Sequence, residues 1–364
     1  MKKSLVALAA LAATSAFAQS SVTLSGLLDY AYASQSGTIT GVKANTVSTN
    51  IGTSATSVIR FIAVEDIGGG QKVTAQYNLD PRTLANDGSN SLARDEVFVG
   101  ISGGFGNVRL GSPNSISLAT FLASSPLGTG VGSGYVGLEF GLTAVPRYNR
   151  SVRYDSPSIS GLTVSALYAP GGDLATTASA AANGVPNARK TTEIGASFTN
   201  GPLNLNVVQR RAPAASYADT TGYSVRGTNG AVWFQGGDQT ATAYGEATWT
   251  SLGANYKFGN TTVYAGTNNG DTVSATLANN ALKTKGNRLA VKHTMGSIDL
   301  IGQTASQTTT SAAGAETKQT FQGIRADYNL SKTAATYIGY EKYDNGAATA
   351  NDRKIVSVGL RKSF

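Results

Sequence analysis

Over long stretches of the chain, apolar and polar residues alternate one for one. Val73, Ala75, Tyr77 and Leu79 interleave with Lys72, Thr74, Gln76, Asn78 and Asp80, and the same pattern runs through Leu162, Val164, Ala166 and Tyr168. It returns at Leu252, Ala254, Tyr256 and Phe258. A period of two is that of a β-strand with one apolar and one wet face, and about sixteen such segments can be counted.

The connections between these segments alternate in length. Tight ones contain Gly68-Gly69-Gly70, Gly103-Gly104-Phe105-Gly106, Asn200-Gly201-Pro202, Gly259-Asn260 and Met295-Gly296. Between them lie long ones, near 34–55, 81–93, 112–146, 170–189, 212–243, 268–285, 307–316 and 344–352. A soluble sandwich has no reason to keep short and long hairpins at opposite ends. A transmembrane barrel does, because strands of about 9 to 11 residues cross the bilayer between short periplasmic turns and long external loops. Closure also satisfies every backbone donor and acceptor, which lipid cannot do. The expected fold is therefore an all-β, antiparallel, up-and-down transmembrane β-barrel of about 16 strands with its apolar faces outward.

Composition agrees with a wall that needs only one apolar face. The chain has 43 Gly and 16 Tyr, is 41% hydrophobic, and contains no run of the length a membrane helix requires after its first residues. Those first residues, MKKSLVALAALAATSAFAQ, read as a secretory signal: two lysines, an apolar run and the small-x-small site Ala16-Phe17-Ala18. Residues 1–18 are expected to be cleaved and 19–364 to form one domain. Loss of Lys2 and Lys3 lowers the formal charge from +8 to +6, and the basic residues form no longer cluster than a dipeptide such as Arg210-Arg211. Nucleic acid is therefore not an expected partner. The absence of cysteine removes disulfides and thiolate metal sites, and no metal or cofactor is expected.

At its other end the chain stops on Phe364. Val356, Val358, Leu360 and Phe364 share one face of the last segment, so this strand belongs in the wall, paired with the first strand, with Phe364 at an aromatic rim. Lys362 on that face is expected to snorkel to the interface.

The chain resembles the trimeric, sixteen-stranded general porins of beta-proteobacterial outer membranes. The resemblance rests on SSVTLSGLLDY, EDIGGGQKVTAQY, VFVGISGGFGNVRLG, NRSVRYDSPSISGLTVSALY, LGANYKFG, ADYNLSK and the closing VGLRKSF, in that order. It implies an outer-membrane, water-filled channel for passive diffusion of small hydrophilic solutes and ions, a homotrimer embedded in outer-membrane lipid, and no enzymatic activity. It also implies that Phe364 is part of what the barrel-assembly machinery reads. The constriction would be formed by the third external loop, about 112–146, folded into the lumen and carrying Glu139 as its only formal charge. Three positions depart from the family pattern: Ser25 stands where Tyr is usual, an inward arginine is displaced by two residues to Arg60, and Gly111 is followed by Ser112.

Parity selects the facing wall. With Ile59 and Phe61 outward, Arg60 points inward; by the same reasoning so do Arg109, Arg153 and Arg94, and Arg147 lies where the loop rejoins the wall. Arginines opposite a nearly acid-free loop favour anions, so weak anion selectivity is expected. Alternatives are a surface adhesin using the long loops, or an outer-membrane hydrolase using the sole histidine, His293. No serine motif surrounds His293, and Gly68-Gly69-Gly70 lacks the Lys-Ser/Thr and helix of a phosphate loop.

Overall fold

The computed structural model describes residues 20–37, 57–81, 95–134, 147–170, 190–213, 246–272, 282–311, 313–344, 346 and 352–364. It also describes short paired stretches at 45–48, 50–51, 54–55, 215–216, 225–226, 232–234 and 243–244. The signal sequence lies outside the described residues.

Sixteen antiparallel strands form a closed wall. The first eight are β1 (Ser21–Gly37), β2 (Val58–Gly68), β3 (Gln71–Leu79), β4 (Val97–Gly103), β5 (Gly106–Ser112), β6 (Ser151–Asp155), β7 (Leu162–Ala169) and β8 (Thr191–Asn200). The rest are β9 (Leu203–Ala212), β10 (Ala247–Phe258), β11 (Thr261–Thr272), β12 (Leu282–Met295), β13 (Ile298–Thr310), β14 (Glu316–Ser331), β15 (Ala334–Asp344) and β16 (Arg353–Ser363). Each pairs with its neighbour in sequence, and β16 pairs with β1 from Ser363↔Leu27 to Arg353↔Gly37. No edge is left between first and last strand over that length, as lipid requires. A further strand, Asn45–Ser48, adds to the outer part of β1.

The wall inverts the soluble pattern. Along β16, Val356, Val358 and Leu360 are exposed while Arg353, Ile355 and Ser357, of the opposite parity, are buried. Tyr30, Tyr32, Tyr77, Tyr154, Tyr168, Tyr256 and Tyr328 are all exposed on the outer face, where aromatic belts meet the bilayer interface. The inner face carries charge: Asp29, Glu193, Arg210, Arg288, Arg325, Asp327 and Glu341 are all buried. Among the described residues no helix is long and apolar enough to cross a membrane; the crossing is made by strands.

Several strands run further than the alternation suggests. β1 has 17 residues and β14 has 16, and the long connections read from Ser34, Asn268 and Gln307 begin inside β1, β11 and β13. Polar side chains on both faces end the apolar period, but backbone pairing needs no apolar face once the strand stands in water. At the other end, Gly68, Gly69 and Gly70 take φ of 86°, 62° and 74°, and the Gly68 amide donates to Asp66 at 2.9 Å. This is a tight left-handed turn that only glycine accommodates without strain.

Candidate channel constriction

The segment after β5 leaves the wall and enters the barrel. Gly111 has φ of 135°, and a Cβ there would lie 2.5 Å from the Val97 carbonyl oxygen, so glycine permits the bend at that point. Asn114 then bridges to Arg147, the residue at which the segment returns.

A lattice of charges fastens this root. Glu96 accepts from the Asn114 amide at 2.9 Å, from Asn114 Nδ2 at 3.1 Å and from Gln76 at 3.2 Å. Arg153 donates to the Asn114 carbonyl at 2.7 Å and pairs with Asp155 at 2.8 Å. Arg109 pairs with Asp155 and lies 3.5 Å from Glu96, while Arg147 pairs with Asp95 at 2.8 Å. Two arginines selected by parity, Arg109 and Arg153, and Arg147 at the loop's return are thus gathered beside the loop root, and each faces a carboxylate. Arg60 points inward on β2, opposite Asn78, and makes no ion pair among the described residues. Arg94 and Glu139 lie outside the described residues.

Beyond the root a short helix, α1 (Ile116–Ala123), forms inside the lumen. Ser115 is its N-cap, accepting from the Leu118 amide at 2.9 Å. Its free N-terminal amides point at Glu193 of β8, which accepts from Ile116 N at 2.7 Å, Ser117 N at 3.1 Å and Ser117 Oγ at 2.5 Å. A carboxylate is favoured at this positive end of the helix. The Tyr148 hydroxyl donates to the same Glu193 at 3.2 Å, and burial pushes its pKa well above that of an ordinary phenol. At the other end Asn255 Nδ2 donates to the Ala123 carbonyl at 2.8 Å.

α1 can lie flat on the wall because the wall is bare beneath it. A Cβ on Gly195 would come within 2.5 Å of Ile116, one on Gly266 within 2.8 Å of Ser124, and one on Gly253 would collide with the Thr120 carbonyl. Past the helix, the Val131 carbonyl accepts from Arg325 at 2.6 Å, the Gly132 carbonyl from Gln303 and the Ser133 carbonyl from Arg288. Backbone carbonyls of the loop are thereby tied to β12, β13 and β14. Val131 joins Phe321, Tyr337, Tyr343 and Ile355 in a buried apolar cluster.

Four wall arginines that the sequence did not assign to the constriction, Arg210, Arg288, Arg325 and Arg353, each lie over an aromatic ring: Trp249 at 3.8 Å, Phe121 at 4.7 Å, Tyr337 at 3.5 Å and Tyr343 at 4.2 Å. Parity carried a signal for them, since outward Val356 and Val358 place Arg353 inside. Arg325 pairs with Asp327, and Asp29 on β1 receives Tyr337 at 2.6 Å and Arg361 at 3.1 Å. Arg288 has no carboxylate partner among the described residues. His293 lies near the short turn, with its Nδ1 2.8 Å from the Thr261 hydroxyl.

A closed barrel with a helix-bearing loop pinned inside it invites comparison with known proteins. The sequence profile described as Gram-negative porin matches residues 4–348. The chain belongs to the Gram-negative porin family.

Relatives of this porin include the major outer membrane protein P.IB of Neisseria lactamica, 34% identical over 178 residues, 47% of this chain and 50% of that protein. The outer membrane porin protein 32 of Delftia acidovorans is 36% identical over 182 residues, 46% of this chain and 50% of that protein. The porin chain thus spans about half the length of the curated relatives it matches. Its fold is that of the anion-selective porin from Comamonas acidovorans, with a TM-score of 0.70 at 19% identity, covering 95% of this chain and 100% of that one. OmpT of Vibrio cholerae in its trimer form gives 0.68 at 15% identity, covering 95% and 99%. Family and fold together place this porin in the outer membrane of a Gram-negative bacterium.

Proposed function

We propose that this porin is a water-filled channel through which small hydrophilic solutes and ions cross the outer membrane by passive diffusion, with anions favoured. The observation that carries this reading is the loop 113–134 fastened inside the barrel, together with an inward arginine on β2, Arg60, that has no carboxylate partner among the described residues. Cations fixed at the narrowest point lower the barrier for anions and raise it for cations. The paired state of Arg109, Arg147 and Arg153 limits that field, so the preference is weak. Arg60, Arg94, Arg109, Arg147 and Arg153, with Glu139, form the selectivity set in this reading.

The same reading makes the protein a homotrimer embedded in outer-membrane lipid, with Phe364 recognised by the barrel-assembly machinery. Relatives and structural neighbours support it: one neighbour is described as an anion-selective porin and another as a trimer.

The test is the reversal potential in a planar bilayer under a potassium chloride gradient. The wild type should favour chloride, and Arg60→Ser should move the potential toward potassium. A wild-type potential favouring potassium, or no current at all, rejects the proposal.

A further inference from the structure

Between the last turn of α1 and strands β10–β12 lies a cavity of about 20 Å³, lined by Thr120, Ser124, Ser251, Gly266, Asn268 and Arg288 among others. About 10–15 Å³ is enough for one water-sized guest. Its space comes from the register: Arg288 stands opposite Gly266, and Asn268 opposite Gly286.

The buried side-chain atoms at this space that lack a partner are all of one kind. Arg288 is 6% exposed and Asn268 3% exposed, yet Arg288 Nε, Arg288 Nη1 and Asn268 Nδ2 have no hydrogen-bond partner. All three are donors. The buried side-chain acceptors that lack a partner, Gln303 Oε1 and Glu341 Oε1, do not line this cavity. A water molecule could accept from these donors but carries no charge and leaves the guanidinium uncompensated, whereas an anion both accepts and neutralises it. Arg288 is also a buried cation with no carboxylate partner among the described residues, and an uncompensated buried charge is strongly unfavourable. A carboxylate or phosphate has too many heavy atoms for a one-guest space.

We propose that this cavity holds a single halide ion, chloride under physiological conditions, bound by Arg288 and Asn268. The ion acts as a fixed counter-charge in the wall. Arg288 stacks on Phe121 and donates to the Ser133 carbonyl, so it joins the helix to the far end of the loop. Chloride binding would therefore stabilise the seated loop. This goes beyond the channel reading and does not depend on which ions the pore prefers.

The test is crystallographic, on the full trimeric or monomeric protein purified in detergent with bromide replacing chloride. An anomalous peak within hydrogen-bonding distance of both Arg288 and Asn268 is expected. In solution, the wild type should melt at a higher temperature in chloride than in gluconate of equal ionic strength. Asn268→Asp supplies its own negative charge and should lose both the bromide peak and the halide response while still folding. The proposal is overturned if the wild type shows no anomalous peak, only a water, or the Asn268 carbonyl oxygen turned onto Arg288. It is equally overturned if Asn268→Asp keeps the wild-type halide response.

Discussion

Phe364, the last residue, lays its ring across Gly26 of the first strand. The two residues exchange both backbone hydrogen bonds, Gly26 N to Phe364 O at 2.8 Å and Phe364 N to Gly26 O at 3.0 Å. A Cβ on Gly26 would stand 2.5 Å from Phe364 Cζ and 2.9 Å from the Val58 carbonyl oxygen. The aromatic side chain covers a glycine that would otherwise leave backbone open to lipid, at the point where the cylinder closes.

Gly26→Val should displace that ring and loosen closure, at a cost of about 1–3 kcal/mol for overpacking. Thermal unfolding in detergent, followed by the mobility of the unboiled barrel in electrophoresis, measures it. Phe364→Ala should reduce stability as well, by removing the cover rather than by collision.

Glu193 seats the helix. Glu193→Ala leaves the Ile116 and Ser117 amides and the Ser117 hydroxyl without their acceptor inside the barrel, and each such loss costs about 1–3 kcal/mol. The expected outcome is a loop that leaves its seat intermittently, read as increased open-channel noise in single-channel recordings. Glu193→Gln keeps the acceptor oxygen but loses the charge at the helix N-terminus, about 0.3–1 kcal/mol, and should be the milder variant.

Gly253 marks where α1 touches the wall. Gly253→Val places side-chain atoms where the Thr120 carbonyl now lies, so the helix must move into the lumen. Conductance should fall while barrel formation is retained, because the outer face and the strand pairing of β10 are untouched.

Asp155 balances two arginines. Asp155→Asn should release Arg153 from its ion pair, leave Arg109 only Glu96 at 3.5 Å, and shift the reversal potential toward chloride, by more at low salt than at high salt, since screening shortens the reach of the field. Arg153 keeps its 2.7 Å bond to the Asn114 carbonyl, so the loop root should survive the change.

Strict alternation made the wall readable from sequence. Side-chain parity is fixed by the pleat, so residues such as Val356 and Tyr77 declare outside, and Arg60, Arg109 and Arg153 declare inside, without knowledge of their neighbours. What parity cannot report is who meets whom across the lumen. Glu193 lies 76 residues after Ser117, and the bare seat for α1 is three glycines on three strands, none of which carries a local signal of what it faces. The ion pairs that offset the arginines were hidden for the same reason, because Asp155 shares a strand with Arg153 but reaches Arg109 only through pairing of β5 with β6. One signal was present and unread: Ser115 before the apolar run Ile116–Ala123 has the form of a helix N-cap.

The central claim is that the loop between β5 and β6 lies inside a water-filled barrel and sets its narrowest point. Deleting residues 116–133 and recording single channels in a planar bilayer tests it most directly. The account predicts a channel that still forms and conducts several-fold more current than wild type, with weaker ion selectivity. Conductance and selectivity equal to those of the wild type would contradict it.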